Sequence, residues 1–215
     1  MPTKWIKITT VVIVVFVAAG IAFAAGQRRV EKPRTTLTSP TTTPTTSRAS
    51  GPTTGPPGQA DLVEFVDQKD GFAISYPRTW LRLQGNDPTV VLVVSEKPVD
   101  QNNGGSLLAR AVNIGTTVSQ QQLPEAKKIT DQVVTQGQGV ELKFEPKMIT
   151  QGGLPGWLYV YTFADKANGR QGLHSHYFLF KGETMISFVF QALPDTEFAR
   201  LAPTFDDMIG TFRVL

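Results

Sequence analysis

The amino-acid sequence predicts an α+β domain, an antiparallel β-sheet sandwiched by helices, over residues 61–215 of a 215-residue chain. Three observations predict it. Alternating apolar and polar residues recur along most of this stretch, the period of half-buried strands. The strands of its second half are separated by only a few residues of turn chemistry, so neighbours run antiparallel. Two further stretches carry apolar residues at helical spacing, and such stripes must be buried against the sheet.

At the start of the domain, "LVEFV" (62–66) leads to "FAISYP", whose alternation sets Phe72, Ile74 and Tyr76 on one face. Pro77 lacks an amide donor and suits a strand end, and Trp80 packs as the chain turns away. "TVVLVVSE" (89–96) is a near-continuous apolar run, as in a strand covered on both faces. "NNGG" (102–105) is a turn, and "LLARAVNIG" resumes a strand. Pro124 fits the first turn of a helix whose apolar side is Leu123, Ala126, Ile129, Val133 and Val134, ended by Gly137 and Gly139. Next comes a four-strand meander: "VELKFEPKMI", "WLYVYTFAD", "LHSHYFLF" and "TMISFVFQA". Asn168-Gly169 favours a type I′ turn between the second and third, and "KGE" (181–183) makes a tight turn between the third and fourth. Phe198, Leu201, Phe205, Met208, Ile209 and Phe212 close the chain at helical spacing, with a kink or two short pieces expected at Pro203.

Ahead of the domain lie two different segments. "ITTVVIVVFVAAGIAFAA" (8–25) is eighteen uncharged, mostly apolar residues, about 27 Å as a helix and close to the hydrocarbon thickness of a bilayer. Residues 1–30 are taken as a membrane anchor. The alternative is a signal peptide cleaved after Ala22-Phe23-Ala24, which would leave a secreted protein. More positive charge flanks the C-terminal side, which the positive-inside rule would keep in the cytoplasm. The seven-residue N-terminal tail and the Thr/Pro-rich composition of residues 31–60 favour a single pass with the domain extracytoplasmic. Those residues are rich in Thr, Pro, Ser and Gly and too poor in apolar surface to fold, so they form a semi-rigid linker and a candidate O-glycosylated stalk.

Charge excludes some functions. Residues 1–60 hold seven Lys/Arg and one Glu, whereas residues 61–215 hold fourteen Lys/Arg and seventeen Asp/Glu. The basicity of the chain therefore flanks its apolar segment, and no nucleic-acid groove is expected. The absence of cysteine removes disulfides, thiolate metal sites, cysteine nucleophiles and lipid attachment through cysteine.

Candidate chemistry is sparse. His174 and His176 are two residues apart on a strand, so they share a face about 7 Å apart and could share a metal. No spacing supplies a third ligand, so a solvent-facing or hydrogen-bonded pair is expected and no metal site is assigned. No G-x-S-x-G elbow and no phosphate-cradling glycine pattern is present, and Asp206-Asp207 reads as a solvated helix face. Trp157, Tyr159 and Tyr161 form an aromatic stripe, suited to packing beneath a helix or to binding a glycan or acyl chain. No catalytic, cofactor-binding or metal residue is assigned, and no enzyme is expected.

"GFAISYPRTW" (71–80) near the start of a β-rich domain, with "FDDMIGTFRV" (205–214) at its close, resembles the PsbP-like domains. These include the extrinsic photosystem II subunit and actinobacterial envelope proteins of the LpqN type. The resemblance covers most of residues 61–215 in the order of elements. Two positions depart from it: Thr79 stands where the family often has glycine, and the lipid-modified cysteine of the envelope lipoproteins is missing. The resemblance implies an interaction domain without catalytic residues, binding an envelope protein or a cell-wall component. The alternatives are a carrier for an apolar lipid or isoprenoid held between sheet and helices, and a hydrolase with a site assembled across strands.

Overall fold

A computed structural model of the chain describes residues 61–85, 87–98, 104–137, 139–165 and 169–215. The apolar segment 8–25, the linker 31–60, and Asn102, Asn103 and Asn168 of the predicted turns lie outside the described residues. No helix among the described residues is long and apolar enough to cross a membrane.

Eleven strands and two helices make up the described chain. The strands are β1 (Leu62–Asp67), β2 (Phe72–Pro77), β3 (Leu81–Leu83), β4 (Val90–Ser95) and β5 (Gly104–Asn113). Helix α1 (Leu123–Thr135) precedes β6 (Glu141–Leu142), β7 (Lys147–Gln151), β8 (Leu154–Ala164), β9 (Gln171–Lys181) and β10 (Thr184–Leu193). Helix α2 (Phe198–Gly210) and β11 (Arg213–Val214) end the chain. Eight of the strands make one antiparallel sheet in the order β3-β4-β5-β10-β9-β8-β6, with β7 also paired to β8. The helices lie on its opposite faces.

The expectation of a single sheet is corrected in one respect. The first hairpin, β1–β2, stands apart and forms a three-stranded sheet with β11. The chain leaves β2 through a tight turn, with the Trp80 amide donating to the Pro77 carbonyl at 2.9 Å, so β3 begins in the large sheet. The freed edge of β2 is closed by the C-terminus: Arg213 pairs with Ala73, and the Leu215 amide donates to the Gly71 carbonyl. The predicted strand 140–149 is also split, into β6 and β7. Pro146 has no amide and restricts Glu145, so the ladder to β8 is interrupted between them.

One face of the large sheet is a dry core. Leu92, Leu107, Ala109, Leu179, Phe188 and Phe190 meet α2 and the small sheet there, and none is more than 2% exposed. Trp80 packs edge-on to Phe205 at 6.4 Å, which makes the tryptophan of "GFAISYPRTW" a core residue. Helix α2 is continuous rather than two pieces. Pro203 and Ala199 are both exposed, so the carbonyl that the proline leaves without a helical donor can be solvated.

Helix α1 begins as expected, with Pro124 in its first turn. Its fully buried positions are Leu123, Ala126, Thr130 and Val134, whereas Ile129 and Val133 are half-buried. The helix is rotated toward Thr130 because that hydroxyl meets Tyr159 of β8 at 2.6 Å, and Tyr159 in turn donates to Asp131 at 2.7 Å.

Candidate functional site

The α1-side face of the large sheet is unlike its other face. Strand pairing builds it in rows. One row runs Trp157, Phe178, Ser187, Arg110 and Val90 across β8, β9, β10, β5 and β4. The next is Tyr159, His176, Val189, Leu108 and Val93. The third is polar throughout: Tyr161, His174, Gln191, Ser106 and Ser95. Positions that on the core face hold leucine and phenylalanine hold histidine, glutamine and serine here. Burying such groups costs free energy unless each finds a partner, so their arrangement is informative.

The aromatic stripe is shared between two tasks. Trp157 and Tyr159 pack beneath α1, where the indole N–H of Trp157 donates to the Leu123 carbonyl at 3.0 Å. Tyr161 instead sits among the histidines. Its hydroxyl lies 3.1 Å from His174 Nδ1 and 3.2 Å from His176 Nδ1. His174 Nε2 lies 2.9 Å from Oε1 of Gln191.

Valence fixes the direction of this chain. Gln191 Oε1 only accepts, so His174 Nε2 carries the hydrogen. In a neutral ring His174 Nδ1 then accepts, and Tyr161 donates to it. The Tyr161 oxygen is left to accept, so His176 donates from Nδ1. What remains is a lone pair on His176 Nε2, a buried atom with no hydrogen-bond partner among the described residues.

Both rings are neutral. Burial lowers the His174 pKa to about 4, against a smaller opposing effect of the Gln191 bond. Burial pushes His176 well below the usual histidine value, and the positive charge of Arg110 acts in the same direction. Burial also raises the Tyr161 hydroxyl, so the phenol keeps its proton. Arg110 is itself held by Asp87 at 2.9 Å, and Asp87 also accepts from the Thr89 hydroxyl. Aromatic faces cover the imidazoles. His176 stacks on Phe178 with centroids 3.8 Å apart, and His174 on Phe163 at 4.1 Å. Gly172 makes the second stack possible, because it pairs with Phe163 across the ladder and a β-carbon there would run into that ring.

The two histidines therefore share a face, as their spacing predicts, but they are buried rather than solvent-facing. Their common partner among the described residues is the Tyr161 hydroxyl. Among the described residues no group of three or more His, Asp or Glu is placed to hold a metal ion. Asp206 and Asp207 lie on the exposed face of α2, as expected. Sequence reasoning missed Gln191 and Arg110, which reach the site only through β9–β10 and β10–β5 pairing. The polar residues on strands that otherwise alternate apolar inward are the signal that could have found them.

No family model matches the sequence, and no curated protein matches it in sequence. Solved structures do match in fold. The solution structure of the cyanobacterial PsbP, CyanoP of Synechocystis, is 20% identical with a TM-score of 0.50, over 75% of this chain and 96% of that one. The crystal structure of LpqN of Mycobacterium tuberculosis, involved in cell envelope biogenesis, is 12% identical with a TM-score of 0.53, over 72% of this chain and 91% of that one. A structure from Bacteroides thetaiotaomicron, 13% identical at a TM-score of 0.50, matches 71% of this chain, which spans only 48% of that one. The α+β sandwich of the described residues has the fold of these PsbP and LpqN structures.

Proposed function

We propose that the chain is a non-enzymatic binding module of the cell envelope, anchored in the membrane through residues 8–25 and carried outside the cytoplasm on its Thr/Pro-rich linker. Its partner is an envelope protein or a cell-wall component. The observation that carries this reading is the fold likeness to LpqN, a protein involved in cell envelope biogenesis. The apolar segment and the linker ahead of the domain support it. A binding role also agrees with the histidine cluster, whose hydrogen bonds among the described residues run to Tyr161 and Gln191. The test is fractionation of cells expressing the intact chain, followed by protease treatment after removal of the wall. The reading expects retention in membranes through alkaline extraction and digestion of the domain from outside. Recovery in the cytosol, or full protection from external protease, would overturn it.

A second reading, a carrier of a small apolar ligand, is favoured by one observation. The middle of the three rows, with His176, Val189 and Leu108, combines apolar surface with one acceptor unused among the described residues.

A further inference from the structure

We propose that the α1-side face of the sheet is a small-molecule site whose polar anchor is His176 Nε2, and that its ligand is a neutral, apolar-bodied molecule with one O–H or N–H donor. The proposal deepens the carrier reading by naming what the ligand must offer.

Three observations lead to it. The directed chain Gln191–His174–Tyr161–His176 leaves one ring lone pair unused, on a histidine that is only 5% exposed. A buried acceptor of this kind is matched by a donor, and an apolar group placed there would leave it unmatched. The immediate surroundings are uncharged or internally compensated. His176 faces Tyr161 and His174 from β8 and its own strand, and Arg110 of β5 is neutralised by Asp87. With Arg110 and Asp87 paired to each other, neither charge is left over to hold an ion, so a neutral molecule is favoured.

The third observation concerns access. His176 pairs with Val189, and Val189 with Leu108, both on the same face and both half-buried. Solvent therefore reaches the residue paired with His176, about 5 Å away by one strand spacing. An aromatic or isoprenoid alcohol has the required shape: an apolar body over Val189 and Leu108, and a hydroxyl directed at Nε2.

The experiment uses the full chain with phenol as probe and benzene as its donor-free counterpart, at about pH 7, where phenol is neutral. Long-range proton–nitrogen spectra of the histidine side chains report the tautomers directly. The expected result is His174 protonated at Nε2 and His176 at Nδ1, with saturable movement of the His176 Nε2 resonance by phenol. Benzene should bind roughly tenfold more weakly, and the difference should vanish in His176→Phe. Binding of neither compound overturns the carrier reading. Equal binding of both keeps a carrier but removes His176 as its anchor. The opposite tautomers, or a His176 Nε2 resonance that phenol leaves unmoved because water alone occupies it, overturn the proposal in the wild-type chain, whatever the variant does.

Discussion

Acid should loosen this protein through its histidines, by an amount that can be worked out. His174 titrates at about 4 in the folded state because it is buried, and at about 6.5 once unfolded. The unfolded chain therefore binds more protons between these values. Stability from the neutral ring is fully present above pH 6.5, falls as pH drops toward 4, and is flat below that. Across the whole window the difference amounts to about 3 kcal/mol, and about 2 kcal/mol is already lost between about pH 8 and about pH 5. His176 acts in the same direction. Asp87 and Glu96, whose pKa values are lowered in the fold, also lose stability in acid, so a pH profile of the wild type alone does not isolate the histidines. The assay is urea unfolding at both pH values for the wild type and for His174→Gln, which keeps a donor and an acceptor in the row. The carboxylate contribution cancels in the comparison. The variant should lose about 2 kcal/mol less on acidification than the wild type. Equal losses, or a larger loss in the variant, would refute the claim that His174 is held neutral by burial.

Other substitutions report on neighbouring parts of the structure. Tyr161→Phe leaves both Nδ1 atoms without their shared partner, and urea unfolding should show a loss of about 1–3 kcal/mol; a loss under a few tenths would mean the chain of hydrogen bonds does not exist. Gly156→Ala places a β-carbon against the Phe178 carbonyl of the paired strand, so thermal unfolding should fall sharply, by several degrees or more; an unchanged midpoint would contradict the β8–β9 register. Glu96→Gln breaks a bidentate contact with Arg200, made by two 2.8 Å bonds. Because Arg200 is half exposed and keeps Glu197, the loss in urea unfolding should stay within about 1 kcal/mol. A loss of several kcal/mol would show that this pair holds α2 to the end of β4.

Much of the architecture was legible along the chain, because local chemistry decides it. The meander β8–β9–β10 comes from period-two alternation and from the two-residue turn at Gly182-Glu183, where Gly182 adopts φ +58°. Helix α1 comes from Pro124 and its apolar spacing, and α2 from a stripe strong enough to carry an exposed proline. The order of elements from "GFAISYPRTW" to "FDDMIGTFRV" already pointed to the PsbP-like fold.

Other features depended on residues distant in sequence. The separation of β1–β2 into its own sheet is settled by the last three residues of the chain, about 140 positions away from their partners in β2. The rotation of α1 toward Thr130 depends on a tyrosine hydroxyl on β8, since helical spacing alone does not distinguish Thr130 from Ile129 as the inward residue. The histidine row shows the limit most clearly. Sequence placed His174 and His176 on one face of one strand, and that much is a property of backbone geometry. Their burial, their shared phenol, the amide of Gln191 and the unused lone pair on His176 were decided only by which strands lie beside β9 and in what register. Pairing across a sheet is a long-range choice made by the whole core, so the chemistry of this face belongs to the tertiary structure.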